Sequence, residues 1–264
     1  MLLHSTDELL KPPVRIVSLV PSQTELLYHL GLQATVVGIT KFCIHPANWQ
    51  TTKSIVGGTK NINIEKIKSL NPDLIIANKE ENVEDQILEL SKDFPVWVTD
   101  VSNLGDALQM INDIGHLTKT ASTAHKLTIE IENGFKKLPG HAKKINTCYL
   151  IWKAPYMSVG GDTFINDMLN YCRYLNLYAD AVRYPVVEIN NLIQKDCQLL
   201  LLSTEPYPFK QKHIAELKLQ LPATKIILVD GEMFSWYGGG LSKAPAYFKQ
   251  LFVQTKDILE KEPS

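Results

Sequence analysis

Cys43 and His45 stand two residues apart in "GITKFCIHPANWQ", Gly38 to Gln50, flanked by Phe42 and Trp49. A thiol and an imidazole at that spacing point the same way on an extended segment, which is an arrangement for holding a soft metal ion. A closed site needs three or four ligands, and Glu80 or Glu205 from other loops could supply them; the alternative is that the pair only shapes its loop. A nucleophilic role for Cys43 next to His45 is a third option, which alkylation discriminates, because a nucleophilic thiol reacts fast and a shaping one does not.

Other enzyme signatures are missing. GxSxG, HExxH, GxxxxGK[ST] and GxGxxG do not occur, "VGGDT" lacks the lysine of a phosphate loop, and "YGGGLS" carries no nucleotide fingerprint. No residue is singled out as catalytic. A formal net charge of -1 supplies no field for nucleic acid or an anionic membrane, so nucleic-acid partners are excluded. Only Arg15, Arg173 and Arg183 accompany 24 lysines, which disfavours a strongly anionic ligand held by bidentate pairs. Cys43, Cys148, Cys172 and Cys197 form no CxxC pair, so neither a zinc finger nor a disulfide framework is indicated, and Cys148 and Cys197, beside strand-like runs, read as buried and inert.

The elements that must position these loops alternate. "RIVSLV", "ATVVGI", "DLIIAN" and "FPVWVTD" read as strands, with helices in "PSQTELLYHLG", "NIEKIKSL", "NVEDQILELS" and "NLGDALQMINDIGHL". Ser22 and Glu25 have capping-box spacing at the start of the first helix, and Gly31 is placed to stop it. A long polar-rich helical pattern spans residues 118–138, with Leu127, Ile131 and Phe135 on one face and Gly134 as its weak point; "INTCYLIW", "CQLLLLS" and "TKIILVD" then restart the alternation. Alternating strand and helix predicts parallel sheets covered on both faces. The fold class is α/β: two α/β lobes with parallel sheets, residues 1–117 and 141–264, joined by one long backbone helix in residues 118–140. A repeat supports two lobes: shifted by 125, Ile64–Glu80 overlays Ile189–Glu205 without a gap.

In open parallel sheets ligands bind beyond the carboxyl ends of the strands. The loops there hold Trp49, Trp152 and Trp236 together with Phe42, Tyr156, Tyr207, Phe209, Phe234 and Tyr237, an aromatic content suited to a large, partly apolar ligand. Ligand-binding candidates are Phe42, Cys43, His45, Lys60, Glu80 and Glu81 on the first lobe, and Trp152, Glu205, Tyr207, Trp236 and Tyr237 from the second half of the chain.

"RIVSLVPSQTELLYHLGL", "NINIEKIKSLNPDLIIA" and "VDGEMFSWYGGGLSKAPAYF" resemble the periplasmic-binding-protein family that delivers vitamin B12, ferric siderophores and haem to ABC importers. "FCIHP", "GGTKN", "EEN", "GGDT", "EPYPF" and "WYG" are similar to its cobalamin-binding or metal-receptor subgroup. The resemblance implies a ligand cleft between the lobes, with Phe42 and His45 at aromatic positions and the "SWYG" loop opposite. It implies a corrinoid, haem, ferric chelate or metal ion as the ligand, with no covalent cofactor. Where the B12 binder has tryptophans, this chain has Thr59 and Asn78, which implies a more polar cleft. The implied partner is an ABC-importer membrane subunit, docked through one glutamate per lobe; Glu65 matches the first, whereas the position 125 beyond it is Asn190, with Glu188 close by. The protein is expected to be a monomer and not an enzyme.

The start of the chain lacks a basic segment followed by an apolar run, so the sequence as written reads as cytoplasmic, or as periplasmic or cell-surface if a leader was removed. A cytoplasmic metal- or cofactor-binding homologue uncoupled from a transporter, or an enzyme using Cys43 and His45 at the lobe interface, are the alternative functions.

Overall fold

A computed structural model describes residues 1–139 and 144–260. Strands β1 Leu2–Leu3, β2 Ile16–Ser18, β3 Val36–Ile39, β4 Ser54–Ile55, β5 Leu74–Asn78 and β6 Val96–Thr99 form one sheet in the order β1-β6-β5-β2-β3-β4. Every pairing in it is parallel, with Ile16 facing both Val36 and Leu74. Helices α1 Pro21–His29, α2 Trp49–Thr52, α3 Ile64–Ser69 and α4 Glu84–Ser91 fill the crossovers. All five residues of β5, "LIIAN", are buried, as expected of a central strand covered on both faces. Val17, Leu19, Ile67, Ile75, Ala77, Leu90 and Val96 make one apolar core.

The chain continues through α5 Leu104–Leu117 and α6 Ala121–Lys136. A second parallel sheet follows, built from β7 Ile145–Leu150, β8 Tyr174–Asn176, β9 Leu199–Ser203 and β10 Lys225–Val229 in the order β10-β9-β7-β8. Its helices are α7 Phe164–Tyr171, α8 Ile189–Gln194, α9 Gln211–Lys218, α10 Glu232–Ser235 and α11 Ala244–Glu260. Cys148, Leu150, Leu192, Cys197, Leu200, Leu202 and Leu217 form the corresponding core. Among the described residues no helix is long and apolar enough to cross a membrane.

The 125-residue repeat holds element by element. Helix α3 and strand β5 span 64–69 and 74–78, and α8 and β9 span 189–194 and 199–203. Asn71 and Asp196, again 125 apart, both take a left-handed backbone, φ 44° and 50°, just after their helices, a conformation that Asn and Asp tolerate better than most residues.

Two compact units emerge, less simply divided than three consecutive blocks. Among the described residues, one comprises 1–101, 105–132 and 236–242; the other comprises 102–104, 133–139, 144–235 and 243–260. The boundary at 132–133 falls inside α6, which is a single helix where one was expected. The segment 236–242, expected with the later half, belongs to the first unit, because its glycines lie against α1.

Gly134 was expected to weaken α6 by about 1 kcal/mol relative to alanine. Its surroundings reverse that sign: a Cβ there would lie 2.8 Å from Cγ and 3.3 Å from Cβ of Pro245 in α11, a ring that cannot swing aside. Gly134→Ala should therefore destabilise by about 1–3 kcal/mol through overpacking, lowering Tm by several degrees. A scanning-calorimetry Tm equal to or above the parent's would refute this close helix contact.

All four thiols are buried. Burial raises each of their pKa values, that of Cys197 to about 12. A proton held more tightly in the folded state stabilises fully below the unfolded thiol value of about 8.5, and this stabilisation is lost as pH rises towards the folded values. The urea midpoint should hold steady from pH 6 to 8 and fall between pH 9 and 11. At pH 8, iodoacetamide should label all four thiols only after denaturant is added.

Candidate functional site

Because both sheets are wholly parallel, each has one edge where all carboxyl ends emerge, and the loops there are the place to look. In the first unit they are tied together by buried side-chain amides. Asn78 Oδ1 accepts from the backbone N–H groups of Glu80 and Glu81 at 2.9 and 3.0 Å, while Asn78 Nδ2 donates to the carbonyl and hydroxyl oxygens of Thr99, both at 3.1 Å. Asn82 Oδ1 accepts from Asn78 N at 2.9 Å, and Asn82 Nδ2 reaches the carbonyls of Thr59 at 3.1 Å and Leu19 at 3.4 Å. Gln86 accepts from Ile62 N and donates to Lys60 O, and the Lys60 ammonium donates to Glu80 O. Thr59 and Asn78, expected as polar lining, are themselves buried. The Asn78 amide and the Thr59 carbonyl are taken up by these loop bonds, and Lys60, Glu80 and Glu81 are the more accessible residues. Sequence reasoning did not single out Asn82 and Gln86, although Asn78, Asn82 and Gln86 recur every four residues.

Cys43 and His45 do not form a ligand pair. Cys43 is fully buried, its Sγ 3.1 Å from Thr24 Oγ1 and 3.2 Å from Thr40 Oγ1, and burial pushes its thiol up. The half-buried His45 ring meets Trp236 edge to face, with centroids 5.3 Å apart. Among the described residues no three His, Cys, Asp or Glu side chains are grouped to hold a metal ion. Phe42, by contrast, is 50% exposed, with the Lys41 ammonium 5.0 Å from its ring centroid.

The "WYGGG" segment was expected opposite Phe42 and His45. It lies on α1. A Cβ on Gly238 would come 1.9 Å from Ser22 O, one on Gly239 2.3 Å from His29 Nδ1, and one on Gly240 2.5 Å from Glu25 Oε2, so only bare backbone fits against this helix. Glu25 Oε2 accepts from Gly240 N at 3.0 Å. Ser22 and Glu25 thus make no capping box; α1 starts with Pro21 at its first position behind Val20, which has no capping oxygen. Trp236 is 8% and Tyr237 7% exposed, and burial, with Glu81 adding to it, raises the Tyr237 phenol well above its ordinary value although Ser22 hydrogen-bonds it.

In the second unit the loops after β7 and β9 carry an aromatic row. Trp152, 41% exposed, meets Tyr207 at 5.8 Å; Tyr207 meets Phe209 at 4.8 Å, and Phe209 meets His213 at 5.4 Å. His213, missed from sequence, is buried in the first turn of α9, where Nδ1 accepts from Lys210 N at 2.8 Å; burial lowers its pKa. Glu205, two residues beyond β9 as Glu80 is beyond β5, accepts from Ser235 Oγ at 2.6 Å. Glu65 is exposed in the first turn of α3. Glu188, the N-cap of α8, is exposed without a capping bond, and Asn190 is exposed beside it.

The chain was compared with known proteins. Residues 16–224 match the family model for periplasmic binding proteins. An uncharacterized ABC transporter substrate-binding lipoprotein, YvrC of Bacillus subtilis, is 31% identical over 181 residues, 64% of this chain and 57% of that protein's length. The vitamin B12-binding protein of Vibrio parahaemolyticus is 25% identical over 199 residues, covering 73% of this chain and 72% of its own. Among solved structures, a possible iron-binding periplasmic solute-binding protein from Staphylococcus epidermidis superposes with TM-score 0.77 at 25% identity over 95% of this chain and all of the other. The periplasmic vitamin B12 binding protein BtuF of Vibrio cholerae shares the fold, with TM-score 0.75 at 20% identity over 95% of this chain and 99% of the other. These findings overturn the cytoplasmic placement read from the start of the chain, since the matching family and these structural neighbours are periplasmic binding proteins. With more than half of its sequence under that family model, in two wholly parallel α/β sheets, the chain belongs to the periplasmic binding protein family.

Proposed function

We propose that this protein is the substrate-binding component of an ABC importer and captures a corrinoid, haem or a ferric chelate outside the inner membrane. The observation that carries the reading is a pair of exposed aromatic rings, Phe42 and Trp152, each beyond the carboxyl end of a strand in one of the two parallel sheets. Exposed rings on such loops offer flat stacking surfaces at little entropic cost. The family match and the relatives named for vitamin B12 and iron support the ligand class. Capture of this kind needs no catalytic group, and the enclosed Cys43 thiol lends no support to a nucleophilic role. The exposed Glu65 and Glu188 are the proposed contacts to the membrane subunit. Of the four candidate rings, the exposed Phe42 and Trp152 are the proposed ligand contacts, and the buried Trp236 and Tyr237 secure the returning segment.

Fluorescence titration with cyanocobalamin, haemin and ferrichrome tests this. Phe42→Ala and Trp152→Ala should each raise Kd about tenfold or more for whichever ligand binds, on the order of 1.4–2 kcal/mol per lost anchor. Cys43→Ser should stay within about twofold of the parent, while Trp236→Ala should mainly lower Tm because its ring is buried. Failure of all three ligands to bind, or parent-like binding by both ring variants, would sink the reading.

A further inference from the structure

Phe42 and Gly58 lie on the loops that follow β3 and β4, and the space where a Gly58 side chain would begin faces the Phe42 ring. A Cβ on Gly58 would come 3.2 Å from Phe42 Cε2 and 3.4 Å from Lys41 Cε, inside or at the edge of the ordinary 3.5–4.0 Å carbon contact. A side chain at position 58 would therefore press on the edge of the ring and the stem of the lysine, and glycine leaves them in place. The backbone there is fixed on both sides: Lys41 N donates to Gly57 O at 2.8 Å, and Gly58 N donates to Asn61 O at 2.9 Å. The Lys41 ammonium stands over the ring within cation–π range and makes no ion pair among the described residues. Lys60, two residues beyond Gly58, keeps its ammonium on the Glu80 carbonyl.

We infer that Gly58 and Lys41 determine specificity, because together they pose the Phe42 ring and set a cation over it, a surface that takes a flat conjugated ring bearing carboxylates at its rim. This rests on the ligand-capture reading above. The ligand ring lies along the open side of Phe42, and a rim carboxylate meets the Lys41 ammonium. Glu80 and Glu81 on the neighbouring loop oppose an anion, and the Lys60 ammonium is held by the Glu80 carbonyl, so the preference depends on Lys41.

Haemin, with two rim carboxylates, and cyanocobalamin, whose rim carries amides, are the probes, titrated against the parent, Gly58→Ala and Lys41→Gln. The Gly58 backbone is not in the left-handed region, so alanine is sterically admissible there apart from the contact with Phe42 and Lys41. Gly58→Ala should keep the parent's Tm and bind haemin about fivefold more weakly; combined with Phe42→Ala it should add nothing, because it acts through that ring. Lys41→Gln should weaken haemin about fivefold and cyanocobalamin less than twofold, and its effect on haemin should vanish at 1 M salt. Parent-like haemin binding by Gly58→Ala, an equal loss for both ligands in Lys41→Gln, or a parent that takes cyanocobalamin but not haemin overturns this inference and leaves the broader reading standing. A parent that binds no ligand of the class removes both.

Discussion

The first unit depends on how the polar backbone is satisfied where its strands end. A wholly parallel sheet delivers all its carboxyl ends to one edge, and the chain must leave that edge through loops whose N–H and C=O groups are no longer paired in the ladder. Asn78 and Asn82 answer this with amides that both donate and accept, joining the loop after β5 to those after β2, β4 and β6. A buried donor or acceptor left unmet costs about 1–3 kcal/mol, so losing either amide would loosen several loops at once. Lys60, Glu80 and Glu81 ride on this lattice, which is why their backbone positions are set before any ligand arrives.

The glycine triplet is a second constraint of the same kind, set by space instead of hydrogen bonding. Residues 238–240 approach α1 so closely that its Ser22, Glu25 and His29 occupy the volume where side chains would begin. The approach brings Trp236 to His45 and buries Tyr237, so the returning segment shapes the loop that carries Phe42. Nothing in "YGGG" alone announces this. The information lies in α1, where positions 22, 25, 26 and 29 form one helical face of mixed polarity, and the polar members of that face imitate a capping box.

Legibility in the sequence followed the strength of the local signal. The long apolar runs of β5, β7 and β9 and the repeat linking residues 64–80 to 189–205 were readable because buried parallel strands are continuously apolar. Strands β1, β4 and β8, of two or three residues, carry no periodicity to detect. The spacing of Cys43 and His45 left ligation and loop shaping both open, because two residues apart implies a shared direction only in an extended chain. Here Cys43 N bonds Thr40 O at 3.1 Å and Ile44 N bonds Phe42 O at 2.9 Å, so the loop is turned and the thiol faces inward. Thr59 and Asn78 implied a more polar cleft, and the sequence does not show that the Asn78 amide at the end of β5 bonds the backbone of the loop that follows it.

Four unpaired cysteines fit poorly, at first sight, with a family named for an oxidising compartment. The chemistry removes the conflict. Disulfide exchange and oxidation proceed through the thiolate, and each of these thiols is enclosed and has its pKa raised by burial. Cys148 and Cys197 act as small apolar fillers in the second core, and Cys43 seats its sulfur against two threonine hydroxyls beneath the loop that presents Phe42. The reactive groups of the motif that first drew attention are thus spent on holding a loop, and what that loop leaves exposed is an aromatic ring with a lysine ammonium above it. For the capture and release proposed above, an exposed ring is better suited than a coordinating thiolate, since stacking is readily reversible.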